Sequence, residues 1–144
     1  MLVYCDTSLA LKLYVNEPRS AEAILIVSSL KNPLPLPTLL EVEMTNAISL
    51  KQFRNEITAT ESGFALARFQ TDIAKGFWKR VEMEENRIRN RALRISLVRT
   101  PLLGSRSMDL LHVAWAIELG AKEFLTFDAK QKLLAEAEGL TVPN

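Results

Sequence analysis

The sequence of 144 residues has very few of the side chains that bind soft metals or form cross-links, with one cysteine, Cys5, and one histidine, His112. A single cysteine cannot form an internal disulfide, and one cysteine with one histidine cannot supply the Cys and His ligands of a zinc site. Any metal that this chain binds must therefore be held mostly by oxygen atoms.

Long apolar runs are also missing. The N-terminus reads MLVYCD, with neither the basic start nor the extended apolar stretch of a secretion signal. No apolar run reaches the roughly 20 residues that a membrane-spanning helix needs. We therefore predict a cytoplasmic protein without membrane contact.

Net charge is nearly absent, since the formal value is +1 at pH 7, and this total indicates no partner. Residues 75–106, however, contain nine basic side chains and three acidic ones, a local excess of six positive charges. Three of the arginines, Arg87, Arg91 and Arg94, form one ridge of a predicted helix. Such a ridge can follow the phosphate backbone of RNA, or it can be a solvated face or a contact for an acidic partner.

What the sequence does contain is an alternation of short apolar runs with amphipathic segments. We predict strands at residues 2–5, 34–36, 77–83, 124–127 and 140–142. We predict helices at residues 7–16, 18–31, 38–53, 58–75, 84–98, 107–119 and 129–137. The segment TPLLG, residues 100–104, is predicted to end the basic helix at 84–98. Strands alternating with helices indicate an α/β sandwich with a mostly parallel sheet, and the length is that of a single domain, residues 1–144.

Two aspartates directly follow predicted strands. Asp6 comes after the first strand, and Asp128 comes after the strand at residues 124–127. Ligand sites in open α/β sheets lie beyond the carboxyl ends of the strands, so both residues are candidates for a site. Each can instead cap the helix that follows it, since aspartate is a favoured N-cap residue.

The helix at residues 38–53 offers two glutamates. The stretch from Thr38 to Glu41 fits a capping box, which gives Glu41 a structural role. Glu43 falls within the apolar face of the same helix, where an unpaired carboxylate is costly, so we prefer Glu43 as the functional acid. Asn46, one turn later, can support Glu43 or can be a solvated polar residue.

Asp109 lies at the start of a helix that is apolar almost all round. Ser107 is placed to cap this helix, so Asp109 is not needed as the cap. Its alternative role is a favourable interaction with the helix dipole. His112 shares its face and is most simply a hydrogen-bonded core residue, with a ligand or catalytic base as the alternative.

Asp6, Glu43, Asp109 and Asp128 can converge at one edge of the sheet. Four neighbouring carboxylates repel one another unless some take up protons or a divalent cation binds among them. Oxygen ligands without cysteine or histidine favour Mg²⁺ or Mn²⁺, and such a site suits phosphodiester hydrolysis.

Three segments carry a family resemblance, namely VYCDTSLALKLYVNE, LLEVEMTNAISLKQFRNEI and RSMDLLHVAWAIELGAKEFLTFDAKQKLLAEAEGL. In these segments the chain resembles PIN-domain nucleases of the VapC toxin type, whose four acids match Asp6, Glu43, Asp109 and Asp128. The segments cover roughly half of the residues, and residues 58–104 carry no diagnostic motif.

The resemblance implies a three-layer α/β/α sandwich with a central, mostly parallel sheet. It also implies Mg²⁺- or Mn²⁺-dependent cleavage of single-stranded RNA by water, a cognate antitoxin and a homodimer. Three hydroxyl residues adjoin the acids and could hold a metal-bound water or a phosphate, namely Thr7, Ser8 and Thr126. The alternative is capping and local hydrogen bonding, which we prefer for Ser8.

Other α/β enzymes fit less well. A haloacid-dehalogenase-like phosphatase needs a second acid two residues after Asp6, where this chain has Ser8. A response-regulator receiver domain needs an acidic pair and a late lysine that we do not find. The main alternative is a catalytically silent PIN fold that binds RNA or a protein, and the presence of all four acids argues against it.

Overall fold

The computed structural model describes residues 1–143, which form two compact units. The terminal unit contains Met1–Asp6 and the chain from Val81 onward, and the middle unit is Thr7–Arg80. The strands are β1 (Val3–Cys5), β2 (Leu34–Leu36), β3 (Trp78–Arg80) and β4 (Glu123–Leu125). The helices are α1 (Thr7–Ala10), α2 (Ser20–Ser28), α3 (Thr38–Phe53), α4 (Ala59–Ala74), α5 (Glu85–Leu103), α6 (Ser107–Glu118) and α7 (Ala129–Ala137).

In the terminal unit, β1 pairs in parallel with β4, and Cys5 lies opposite Leu125. The pairing continues one residue further, because the Asp6 N–H donates to the Leu125 carbonyl at 3.0 Å. Tyr4 and Phe124 stack in a core that α5, α6 and α7 also line, and the bridge between Glu123 and Thr141 extends the sheet. This register brings the residues after β1 and β4 to the same end of the strand pair.

In the middle unit, β2 pairs in parallel with β3, and Leu34 lies opposite Trp78. The aromatic rings of Tyr14, Phe69 and Trp78 pack edge to face at its centre. The Tyr14 hydroxyl donates to Asp72 Oδ2 at 2.6 Å and accepts from Trp78 Nε1 at 2.7 Å. Burial and the bond to Asp72 both raise the pKa of Tyr14, so its phenol is neutral.

The predicted α/β class and the parallel pairing of strands are confirmed. The predicted bounds of β2, α3 and α7 agree with the structure. The helix predicted at residues 7–16 is shorter, since α1 gives way to a 3₁₀ turn at Leu11–Leu13. The next helix begins at Ser20 rather than Pro18, because Arg19 adopts a left-handed conformation with φ 72°.

The predicted break after Val98 is wrong, because α5 continues through Pro101 to Leu103. Proline has no N–H to donate to the Leu97 carbonyl, so α5 lacks one hydrogen bond of its regular pattern at this point. The helix ends at Gly104, whose N–H donates to the Thr100 carbonyl at 2.8 Å in a left-handed C-cap.

Ser107 does not cap α6, which is a second correction. Ser107 is the first helical residue, the N-cap position is Arg106, and no side chain bonds there. None of the helices within residues 1–143 combines the length and the hydrophobicity needed to cross a membrane.

Candidate functional site

Asp6 lies at the carboxyl end of β1 and is buried, with 4% of its surface exposed. The Thr126 hydroxyl donates to Asp6 Oδ2 at 2.6 Å. The same hydroxyl oxygen accepts from the Asp128 N–H at 3.0 Å, which fixes the direction in which Thr126 donates. The residue after β4 therefore orients the carboxylate after β1, as the paired strand ends require.

Asp128 caps α7, as the alternative interpretation of this residue predicted. Its Oδ1 accepts from the Gln131 N–H at 2.9 Å, which satisfies one of the free amides in the first turn of the helix. Asp128 itself is exposed. The capping bond involves one carboxylate oxygen of Asp128, and the residue stays exposed at the carboxyl end of the strand pair.

Asp109 lies in the first turn of α6, where the helix dipole favours a negative charge. The Gln131 side-chain amide donates from Nε2 to the Asp109 backbone carbonyl at 3.3 Å. Successive hydrogen bonds thus join five residues of the terminal unit, which we call the aspartate network: Asp6, Thr126, Asp128, Gln131 and Asp109. Three of the four predicted acids belong to it.

The fourth predicted acid, Glu43, lies on α3 in the middle unit. The Thr7 hydroxyl donates to Glu43 Oε1 at 2.8 Å, so Thr7 orients this carboxylate. Met44 and Ile48 on the same helix are fully buried, whereas Glu43 is half-buried. Asn46 is exposed, and its support of Glu43 stays a prediction.

Glu41 does not form the predicted capping box, because the N-cap position of α3 is Pro37 and no side chain bonds there. Glu41 instead accepts two hydrogen bonds from Arg80, from Nε at 2.9 Å and from Nη2 at 2.6 Å. Hydrogen bonding from Arg80 is the main reason that the pKa of Glu41 lies below its ordinary value. The two neighbouring glutamates of α3 therefore differ in the partner that holds them.

His112 is buried in α6, and its Nδ1 shares a hydrogen bond of 2.7 Å with the Tyr4 hydroxyl. The two rings also meet edge to face. This agrees with the interpretation of His112 as a hydrogen-bonded core residue.

The basic ridge of α5 forms ion pairs within the terminal unit. Arg87 and Arg91 donate to Glu118 at 2.9 and 2.8 Å. Arg94 and Arg99 donate to Glu138, and the Arg99 distance is 2.7 Å. We call these two sets the arginine clamps. Acidic partners for the ridge were one of the interpretations that the sequence left open.

The clamps perturb the acids that they hold. Hydrogen bonds from Arg91 and then Arg87 lower the pKa of Glu118. Burial raises the pKa of Glu138, but hydrogen bonds from Arg99 and Arg94 outweigh burial, so that its pKa lies below the ordinary value. Both carboxylates therefore stay ionised at neutral pH and join α5 to the ends of α6 and α7.

The carboxylate and hydroxyl oxygens of the aspartate network and of Glu43 are of the kind that hard cations take as ligands. Among residues 1–143, no group of three or more His, Cys, Asp or Glu side chains is arranged to hold a metal ion. The described links between the aspartates run through the Thr126 hydroxyl and the Gln131 amide.

Gln131 is the residue that the sequence analysis missed. Two signals could have revealed it. Gln131 stands three residues after Asp128, the spacing of a capping box, and it precedes the apolar Leu134 and Ala135 on one helix face. A polar residue on that buried face needs a partner.

Comparisons with known proteins show the family and the fold of the chain. The family model described as PIN domain matches residues 3–137. A comparison with curated proteins gave no match. Among solved structures, the crystal structure of Mycobacterium tuberculosis VapC20, described as a sarcin–ricin loop cleaving toxin, is similar with a TM-score of 0.70. The identity is 14%, and the match covers 96% of each chain, a likeness that concerns the fold.

Proposed function

Because the chain belongs to the PIN domain family, we propose that it is a metal-dependent endoribonuclease that hydrolyses phosphodiester bonds of single-stranded RNA. PIN domains are nucleases that generally use divalent metal ions. The proposal adds the substrate, the cation and the residues of this chain that act on them.

The observation that carries the proposal is the aspartate network. Three acids from separate stretches of the chain, Asp6, Asp109 and Asp128, are joined by hydrogen bonds through Thr126 and Gln131. Asp6 and Asp128 accept these bonds through their carboxylates, and Asp109 accepts through its backbone carbonyl. Burying a carboxylate such as Asp6 costs free energy unless the negative charge is paired or coordinates a metal. A bound cation would neutralise this charge.

We assign Asp6, Glu43, Asp109 and Asp128 as the residues that hold Mg²⁺ or Mn²⁺, which requires their side chains to rearrange around the cation when it binds. Glu43 joins the set because its partner, Thr7, directly follows Asp6 in the chain. Hydroxyl groups orient both carboxylates, so Thr126 and Thr7 act as positioning residues. When bound, a divalent cation activates water and stabilises the leaving oxygen of a phosphodiester.

Arg87, Arg91 and Arg94 are proposed to contact the RNA backbone. Their side chains are partly exposed although they pair with Glu118 and Glu138. Bound phosphates would share these arginines with the two glutamates. This contact is sequence-independent, so it would position RNA rather than select it.

The biological role that we propose is that of the toxin of a toxin–antitoxin pair, acting in the cytoplasm as a homodimer and blocked by its antitoxin. The similar VapC20 structure supports this role, because that protein is described as a toxin that cleaves an RNA loop. Two exposed leucines one turn apart on α5, Leu93 and Leu97, offer an apolar surface of the kind that protein partners cover. The family model includes residues of both units, which supports a single domain.

The test is cleavage of labelled single-stranded RNA by the purified protein, with a sarcin–ricin loop oligonucleotide among the substrates. We expect cleavage with Mn²⁺ or Mg²⁺ and none after EDTA. Asp6→Asn and Asp109→Asn should each reduce cleavage by about 100-fold or more, since loss of an outer partner alone costs 10- to 100-fold. Asparagine can still accept the Thr126 hydrogen bond, so Asp6→Asn should fold normally.

Cleavage that persists in both variants would assign the activity to a contaminating nuclease or to another site. RNA binding without cleavage would instead support the catalytically silent binding module. Glu136→Gln, an exposed change on α7, is the matched control and should cleave like the parent protein.

A further inference from the structure

Gln131 contacts two of the proposed metal-binding residues. It is 1% exposed and lies in the first turn of α7. Its backbone N–H donates to the Asp128 carboxylate at 2.9 Å, and its side chain donates to the Asp109 carbonyl at 3.3 Å. One buried side chain thus joins the start of α7 to the start of α6.

The orientation of the Gln131 amide follows from its partner. The Asp109 carbonyl can only accept hydrogen bonds, so the Gln131 nitrogen must face it. The amide oxygen, Oε1, therefore points elsewhere, and it is buried with no hydrogen-bond partner among the described residues. Such an oxygen is unfavourable in the folded protein, because it has left water without finding a donor.

Packing alone does not explain a glutamine at this position. Leu134 and Ala135, which follow it on the same face of α7, are fully buried. A leucine or methionine at residue 131 would fill a similar volume and bury no orphaned oxygen. The amide nitrogen has a partner in the Asp109 carbonyl, whereas the amide oxygen has none among the described residues.

We propose that Gln131 is a positioning residue for the cation site: it fixes Asp109 relative to Asp128, and its Oε1 accepts a hydrogen bond from a water of the occupied site. This inference rests on the proposed function. Mg²⁺ and Mn²⁺ sites in proteins commonly retain water ligands, which are hydrogen-bond donors. A glutamine can therefore serve both the protein and the bound water.

The experiment measures Mn²⁺ binding by electron paramagnetic resonance together with the Tm of the metal-free protein. The variants are Gln131→Leu and Gln131→Met, which keep the volume but remove both polar atoms. We expect the Kd for Mn²⁺ to rise about 10-fold or more, the range found when an outer partner of a metal ligand is lost. The metal-free Tm should stay at or above that of the parent protein, because the orphaned oxygen is gone.

A purely structural role would give the opposite pattern, with a lower metal-free Tm and an unchanged Kd for Mn²⁺. Either an unchanged Kd or failure of both variants to fold would overturn the assignment. Glu136→Gln on the same helix should change neither quantity. If the parent protein binds Mn²⁺ and cleaves RNA but Gln131→Leu binds equally well, the inference alone fails; if the parent binds no Mn²⁺, the proposed function fails with it.

Discussion

The aspartate network and the arginine clamps are both built around carboxylates of the terminal unit, but different groups hold those carboxylates. In the clamps, each glutamate accepts hydrogen bonds from two arginines. In the network, the described donors to Asp6 and Asp128 are a hydroxyl and a backbone amide. A guanidinium neutralises an acid, whereas a neutral donor orients it and leaves its charge in place.

This difference is the one that we expect between acids that stabilise the fold and acids of the proposed cation site. Glu41 and Glu43 repeat it on one helix of the middle unit, since Arg80 holds Glu41 and the Thr7 hydroxyl holds Glu43. The described partners therefore distinguish two neighbouring carboxylates that share one helix.

The largest effect should come from the two glutamates of α3. Glu43→Gln should reduce RNA cleavage by about 100-fold, as expected for a lost metal ligand. Glu41→Gln should leave cleavage unchanged and lower the free energy of unfolding by about 0.5 kcal/mol, because its pair with Arg80 is largely exposed. Cleavage rates and urea denaturation of both variants test this, and the reverse result would exchange the assignments.

A smaller effect should come from the buried clamp. The Glu138 side chain is 3% exposed, and Glu138→Gln should lower the free energy of unfolding at pH 7 by about 2 kcal/mol through weaker bonds to Arg94 and Arg99. Cleavage per folded molecule should not change. Urea denaturation measures the difference, with the exposed Glu136→Gln as the control.

The pH dependence of this clamp has a definite sign. The pKa of Glu138 in the folded protein lies below the ordinary value of 4.5, so the clamp stabilises fully above that value and weakens as the pH falls through the folded pKa. The stability difference between the parent and Glu138→Gln should therefore shrink in acid. A difference that grows as the pH falls would contradict the described pairing.

The smallest effect concerns RNA affinity, and here the clamp supplies its own control. Arg94 and Arg99 bond to the same glutamate, but only Arg94 belongs to the predicted RNA-binding ridge. Arg94→Gln should reduce the slope of log affinity against log salt by about 0.7, the value of one phosphate contact on a single strand. Arg99→Gln should leave the slope unchanged, and equal slopes in both variants would make Arg94 a structural residue only.

Sequence predicted the parts of this structure that depend on local chemistry. The apolar strand β1, the short proline-bounded strand β2 and the helices α3 and α7 follow from periodicity and helix-terminus signals. The capping role of Asp128 is local too, because its partner is three residues away. The same local logic failed for Glu41, whose partner Arg80 is 39 residues away.

The sequence proposed the candidate site as a set of acids, but it could not predict the contacts that those acids make. The proximity of Asp6 to Thr126 depends on the register of β1 against β4, which one strand alone does not encode. Gln131 was missed because its hydrogen bond to Asp109 requires α6 and α7 to meet. Pro101 misled because proline usually ends a helix, whereas α5 continues for two residues beyond it.

The bond between Glu138 and two arginines has a practical consequence for expression and labelling. Glu138 follows α7 directly, and the Thr141 N–H and carbonyl bond to Lys122 and Phe124 beside the sheet. A truncation that removes residues from 138 onward would take away an anchor of α5 as well as an edge of the sheet. Affinity tags and fluorophores should therefore be attached through a spacer after these residues and never in their place.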